Sequence, residues 1–258
     1  MRWKMKKRWI VIALSMIVCS MFLLSGCKIN LPKKLYESGD FIYSLNVDGD
    51  KLYLEGLSEQ GKQKETIIIP KKIDGFSVTQ YTYPAGIVGY HGSFESENLK
   101  QIYILPNISI YTIYCNLAPN VEKIILIGTD NDLSSLQLNS NEKTKVYLCR
   151  AGTNQQVNDE GYIDQNYIWL SNCNYFYNYE GAENDGYYWS DNYDYGEKIT
   201  YVPQNPEREG YIFGGWFQEP ECVNVWDFET DTLPEAKYNE EGEVLYQETR
   251  LYAKWYLQ

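Results

Sequence analysis

Short apolar runs bounded by turn-forming residues organise the chain from residue 40 onward, with the period of strands rather than helices. Phe41-Ile-Tyr-Ser-Leu45 and Leu52-Tyr-Leu-Glu-Gly56 flank Asn46-Val-Asp-Gly-Asp50, a turn signal that predicts a hairpin. Thr66-Ile-Ile-Ile-Pro70 reads as the next strand. Asn98-Leu-Lys-Gln-Ile-Tyr-Ile-Leu-Pro106 and Asn120-Val-Glu-Lys-Ile-Ile-Leu-Ile-Gly128 then align at an interval of 22, and Lys143-Thr-Lys-Val-Tyr-Leu-Cys149 follows after the same interval. Each places apolar residues in an L-x-x-L-x-L arrangement: Leu99, Ile102 and Ile104; Val121, Ile124 and Leu126; then Val146 and Leu148, with Lys143 in the leading position. A fixed period of this kind predicts stacked coils, in which alternate residues of short parallel strands enter one core and no coil is stable alone. The first coil is aligned on the second through Pro70 and Pro106, 36 residues apart, with irregularity expected near Tyr81 to Phe94.

The second half has no such period. A polar stretch from Gln155 to Gly161 marks a join over residues 153–173. Beyond it, strands are predicted at Tyr175–Tyr179, Gly196–Tyr201, Gly210–Phe217 and Thr249–Trp255. Leu251, Ala253 and Trp255 share one face of the last strand. Tyr211 and Phe213 are in phase while Trp216 is not, so Gly214-Gly215 predicts a bulge.

Residues 40–150 resemble the BspA-type leucine-rich repeat family of bacterial surface proteins. The residues that carry the resemblance are the capping hairpin, Ile67-Ile-Ile-Pro70, Ile73-Asp-Gly-Phe-Ser-Val78, and Asn98-Leu-Lys-Gln-Ile102 with Pro106. Val121 to Gly128 departs from the pattern by lacking the proline. In the second half, Pro203 with Pro206, Gly210-Tyr-Ile-Phe-Gly-Gly-Trp216, Cys222 with Trp226-Asp-Phe228, and Leu251-Tyr-Ala-Lys-Trp255 stand in the order of the Listeria-Bacteroides repeat, or internalin B-repeat. That resemblance implies a small β-grasp-like module associated with surface interactions; the acidic insertion from Asp231 to Glu248 is longer than its usual link. The expected fold is mainly β, a short leucine-rich-repeat solenoid followed by a small β-grasp-like module. The expected divisions are a signal peptide at 1–26, a tether at 27–39, the repeat domain with its hairpin cap at 40–152, the join at 153–173 and the module at 174–258.

The N-terminus changes the picture by giving an address. Arg2, Lys4, Lys6, Lys7 and Arg8 precede an uncharged run from Trp9 to Leu24, too short to be a typical spanning helix, and small Ser25 and Gly26 follow. Leu24-Ser-Gly-Cys27 resembles a lipoprotein cleavage site, which makes Cys27 the expected lipidated N-terminus. The expected location is the extracytoplasmic face of the cell membrane, held by acyl chains on Cys27. No sorting signal follows Trp255, so the lipid is the only attachment expected.

Charge narrows the partners. The chain carries a formal charge of −12; removing residues 1–26, with five basic and no acidic residues, leaves 18 Lys+Arg against 35 Asp+Glu, or −17. Such a field repels nucleic acid, so no nucleic-acid partner is expected. Cys115, Cys149, Cys173 and Cys222 remain after processing, and an exported chain permits disulfides. Their spacing fits no metal pattern and leaves both bridges and small buried thiols open.

Candidate chemistry is sparse. His91 is the lone histidine, and no nucleophile motif, phosphate loop or zinc motif is present. No metal and no cofactor are expected. Asp191-Asn-Tyr-Asp194 and Asp130-Asn-Asp132 lack the spacing of a calcium loop and read as solvated acids. Tyr103, Ile125 and Tyr147 occupy the outward middle position of successive strands and form the candidate ligand face; β-propensity or cover from the second half is the alternative explanation. Tyr187, Tyr188, Trp189 and Tyr193, with Tyr195, lie among Asn184, Asp185, Asp191, Asn192 and Asp194 and form a candidate aromatic loop, against the alternative of a self-packing one. Trp216, Trp226 and Trp255 read as core. The expected function is a non-enzymatic, adhesin-like surface protein that binds an extracellular protein or glycan. The alternatives are a structural stalk without its own ligand, and a carbohydrate-binding or carbohydrate-active lipoprotein.

Overall fold

In the computed structural model the residues described are 34–78, 95–106, 112–114, 118–128, 137–139, 144–152, 158–164 and 168–258. The signal segment, Cys27, His91, Cys115, Asp130-Asn-Asp132 and Lys143 lie outside the described residues. The first strands are β1 (Tyr36–Ser38), β2 (Phe41–Leu45), β3 (Lys51–Leu57), β4 (Thr66–Ile69), β5 (Lys72–Ile73) and β6 (Phe76–Val78). Then come β7 (Gln101–Ile104), β8 (Thr112–Tyr114), β9 (Lys123–Leu126), β10 (Gln137–Asn139), β11 (Lys145–Leu148), β12 (Tyr162–Asp164) and β13 (Ile168–Leu170). The last are β14 (Cys173–Phe176), β15 (Tyr187–Asp191), β16 (Tyr211–Phe217), β17 (Lys237–Tyr238), β18 (Val244–Leu245) and β19 (Thr249–Leu257). Among the described residues, helix is confined to three-residue 3₁₀ turns, so the fold is mainly β.

The hairpin between β2 and β3 forms where its turn residues place it. Asn46 Oδ1 accepts from the backbone N–H of Asp50 at 2.9 Å and of Lys51 at 3.0 Å, while Gly49 supplies the left-handed φ of +72° that the turn requires. β1 pairs with the outer edge of β2, and β6 joins β3 in parallel, giving the sheet order β1-β2-β3-β6-β5.

Five strands, β4, β7, β9, β11 and β13, form a parallel ladder, with β12 antiparallel at its end. One inward column is Ile67, Ile102, Ile124, Val146 and Ile168; the next is Ile69, Ile104, Leu126, Leu148 and Leu170. The interval of 22 holds from β7 through β11 and then carries on to β13, which lies in the stretch read as a polar join. The first step differs from the proline alignment: Ile69 sits opposite Ile104, so Pro70 is opposite Leu105 rather than Pro106. Core pattern fixes this register, because a slip of one residue would turn Ile67 and Ile69 to the other face. A proline after a strand exerts no such constraint.

The C-terminal sheet has the order β15-β14-β19-β16, with β14 and β19 parallel at its centre and antiparallel neighbours on either side. The register of β16 shifts between Phe213 and Trp216, so Gly214-Gly215 forms a bulge, and a Cβ on Gly214 would stand 2.4 Å from the Tyr256 ring. Two expectations are corrected. Residues 196–201 form no strand, whereas Tyr187–Asp191, read as loop, is strand β15. The acidic insertion makes the small hairpin β17-β18, whose turn Asn239 closes by accepting from the Glu243 N–H at 2.8 Å.

Two apolar cores sit on opposite faces of the ladder. One joins the inward columns to Phe41, Tyr43, Leu52 and Leu57 of the hairpin sheet. The other joins the ladder's outward residues to Tyr175, Trp189, Trp216 and Leu251 of the C-terminal sheet. Residues 35–258 therefore make one compact unit, and the two halves share a core.

Candidate functional site

The outward column is not a free face. Tyr103 and Ile125 are 0% exposed and Tyr147 is 8%, because the C-terminal sheet lies over them. The Tyr103 ring packs 4.8 Å from Trp189 and 5.4 Å from Tyr201. Tyr187, Trp189 and Tyr193 are buried too, and of the four candidate loop aromatics only Tyr188 keeps partial exposure. The two candidate sites are opposite sides of one internal seam. The sequence holds the signal for this: Ile67-Ile-Ile69, Ile102-Tyr-Ile-Leu105 and Ile124-Ile-Leu-Ile127 are continuous apolar runs, as parallel strands covered on both faces require.

A buried carboxylate anchors the seam. Asp191, fully buried at the end of β15, receives four hydrogen bonds. Oδ1 accepts from Lys123 Nζ at 2.7 Å and from the Asn192 N–H at 2.7 Å, and Oδ2 accepts from the hydroxyls of Tyr103 at 2.5 Å and Tyr193 at 2.7 Å. Lys123 Nζ also donates to the Asn192 carbonyl at 2.9 Å and lies 4.9 Å from the Tyr193 ring centre. A carboxylate taken out of water is costly, and this set of donors fills its lone pairs. Burial and the charge of Asp191 push the hydroxyls of Tyr103 and Tyr193 well above the usual tyrosine range. Burial, then the charges of Asp194 and Asp191, raise Tyr147 to about 12. Asp191 is thus an internal structural charge rather than the solvated acid expected.

At one end the seam opens into a cleft of about 430 Å³. Ile68, Leu105 and Pro106 of the ladder form one wall, and Tyr177, Tyr188, Trp189 and Tyr201 form the other, with Glu183, Asn184 and Gln204 among the lining residues. Asn184, Asp185 and Gly186 turn through left-handed φ values of +57°, +50° and +86° to bring the chain into β15. Glu183 is held by Lys71 Nζ at 3.2 Å and by the Tyr177 hydroxyl at 3.0 Å. Tyr188 donates its hydroxyl to the Gln204 carbonyl and stacks on Trp216 at 5.8 Å. Gly128, opposite the expected proline position, leaves room here: a Cβ on it would meet Pro106 Cβ at 2.9 Å and Asn184 Oδ1 at 3.1 Å.

The other candidate groups are accounted for more simply. Trp216 and Trp226 are core, and half-buried Trp255 donates Nε1 to the Tyr177 carbonyl at 2.6 Å. Cys149 and Cys173 are buried, with Cys149 Sγ donating to the Gly128 carbonyl at 3.3 Å, and Cys222 is half-buried. Among the described residues no group of His, Cys, Asp and Glu side chains is placed to hold a metal ion. Among them, too, no helix is long and apolar enough to cross a membrane.

The chain is similar to two proteins of Evansella cellulosilytica named as membrane proteins, one of them as Gly-rich. Each match is 40% identical over 62 residues, 24% of this chain. It spans only 6% and 7% of the length of those relatives. Residues 176–254, which hold β15, the Asp191 carboxylate and one wall of the cleft, match the Listeria-Bacteroides repeat domain.

Proposed function

We propose that this chain is a non-enzymatic, lipid-anchored binding protein on the extracytoplasmic face of the cell membrane. In this reading the parallel ladder is a short leucine-rich-repeat solenoid of the BspA type, capped by the β2-β3 hairpin. The C-terminal half is a β-grasp-like module; its central parallel pair, formed by the first and last of its four strands, supports that assignment. The observation that carries the binding role is the open, aromatic-walled cleft at the seam, the concave site where a ligand would be held. The membrane-protein names of the two relatives support the location.

The test is an array of extracellular proteins and glycans probed with residues 28–258, which contain the whole compact unit. Saturable binding that fails after substitution of Tyr188 supports a recognition protein. A folded fragment that binds nothing returns the chain to the second reading, a structural stalk, which the two-sided burial of the ladder favours because it makes the two halves one body.

A further inference from the structure

We propose that the seam cleft is a saccharide site that takes a short, uncharged sugar chain; this rests on reading the protein as a binding protein. Two features of the cleft select that chemistry. First, sugar rings present flat C–H faces rimmed by hydroxyls, and the half-buried rings of Tyr177, Tyr188 and Tyr201 stand beside the carboxylate of Glu183 and the amide of Gln204. Its volume of about 430 Å³ is that of a small-ligand pocket.

Second, the charge balance excludes acidic sugars. Among the described residues that line the cleft Lys71 is the only basic one, its ammonium is taken by Glu183 at 3.2 Å, and the chain as a whole is at −12. A peptide fits less well, because Pro70 and Pro106 on the ladder wall have no N–H to offer a strand.

The experiment titrates residues 28–258 with cellotriose, maltotriose and triacetylchitotriose, with a trigalacturonate and an apolar peptide as controls. Tryptophan fluorescence and ligand-observed NMR report binding. We expect saturable binding of at least one neutral trisaccharide and none of the trigalacturonate. Tyr188→Ala, which removes a half-buried ring of the cleft wall, and Gln204→Ala, at an exposed position, should each weaken it about tenfold. Circular dichroism checks that both variants fold. The inference is overturned if no neutral trisaccharide saturates, or if both folded variants bind as the parent does. Peptide binding without sugar binding would overturn the saccharide assignment and leave the binding-protein reading standing. If no sugar, peptide or array component binds, both fall.

Discussion

The ammonium of Lys123 lies 2.7 Å from Oδ1 of Asp191, so a strand of the parallel ladder is tied to a strand of the C-terminal half through a carboxylate that water does not reach. The pair spans 68 residues of sequence, and Tyr103 and Tyr193 complete it from both sides. Its physical role is to fix how the two halves meet, since apolar surfaces alone tolerate sliding and a four-donor carboxylate does not.

Removing one partner should cost far more than removing both. Lys123→Met leaves Asp191 buried without its countercharge, and we expect a loss of about 3–5 kcal/mol in urea unfolding. Adding Asp191→Leu should restore part of that loss, because an apolar pair of similar volume carries no desolvation penalty. A single substitution costing under about 1 kcal/mol would remove the anchor from this account.

Tyr103 tests whether the outward column is a ligand face or an interior. Tyr103→Ser should destabilise by about 3–5 kcal/mol, as large-to-small core changes do, and Tyr103→Phe by about 1.5–3 kcal/mol through loss of a hydrogen bond to a carboxylate. Thermal unfolding followed by circular dichroism reads both. Unchanged stability with lost ligand binding would return Tyr103 to the surface.

The repeat was legible because its signal is local and periodic: Ile102, Ile124 and Val146 recur at one interval and stack as that interval dictates. Strand β15 was hidden by its neighbours. Asn184, Asp185, Asn192 and Asp194 give the stretch a loop's composition, although Tyr187, Trp189, Asp191 and Tyr193 alternate and are all buried. Asp191 looked solvated because its countercharge is on β9, beyond the reach of a local reading. The ladder's outward residues read as a candidate ligand face when one buried face is assumed, with cover from the second half as the alternative; their continuous apolar runs call for two buried faces, and the cover is what the structure has. The cleft had no local signal, since its walls join residue 68 to residue 204.

Cys27→Ala tests the address. If a peptidase that acts on the lipidated cysteine removes residues 1–26, the variant should accumulate uncut and incorporate no labelled fatty acid, both visible on a gel. A shortened variant that still fractionates with membranes would disprove the lipid anchor.

Gly128→Ala probes the seam beside the cleft. Its φ is +129°, a value L side chains rarely adopt, and the added Cβ would press on the Pro106 ring and the Asn184 side chain. We expect a loss of about 1–3 kcal/mol by chemical unfolding. Gly181→Ala is the control: its φ of +75° is also left-handed, but a Cβ there meets nothing within 4 Å. Equal losses would show that backbone strain, not the close approach of Pro106, decides the effect.

Alkaline pH should unfold the seam before it titrates it. Burial raises Tyr103, Tyr175 and Tyr193 well above 10.0, the nearby charge of Asp191 adds to the shift in each, and Tyr147 is raised to about 12. Because the folded state holds these protons more tightly, their stabilisation is fully present below pH 10 and is lost as pH rises towards the folded values. Above pH 10 the unfolded chain binds fewer protons, so stability falls by about 1.4 kcal/mol per pH unit for each tyrosine that ionises only on unfolding. Tyrosinate absorbance should therefore rise in two phases, exposed rings first and the buried group together with loss of circular dichroism. A single phase near pH 10 with the fold intact would place these hydroxyls in water and contradict the sealed interface between the ladder and the C-terminal sheet.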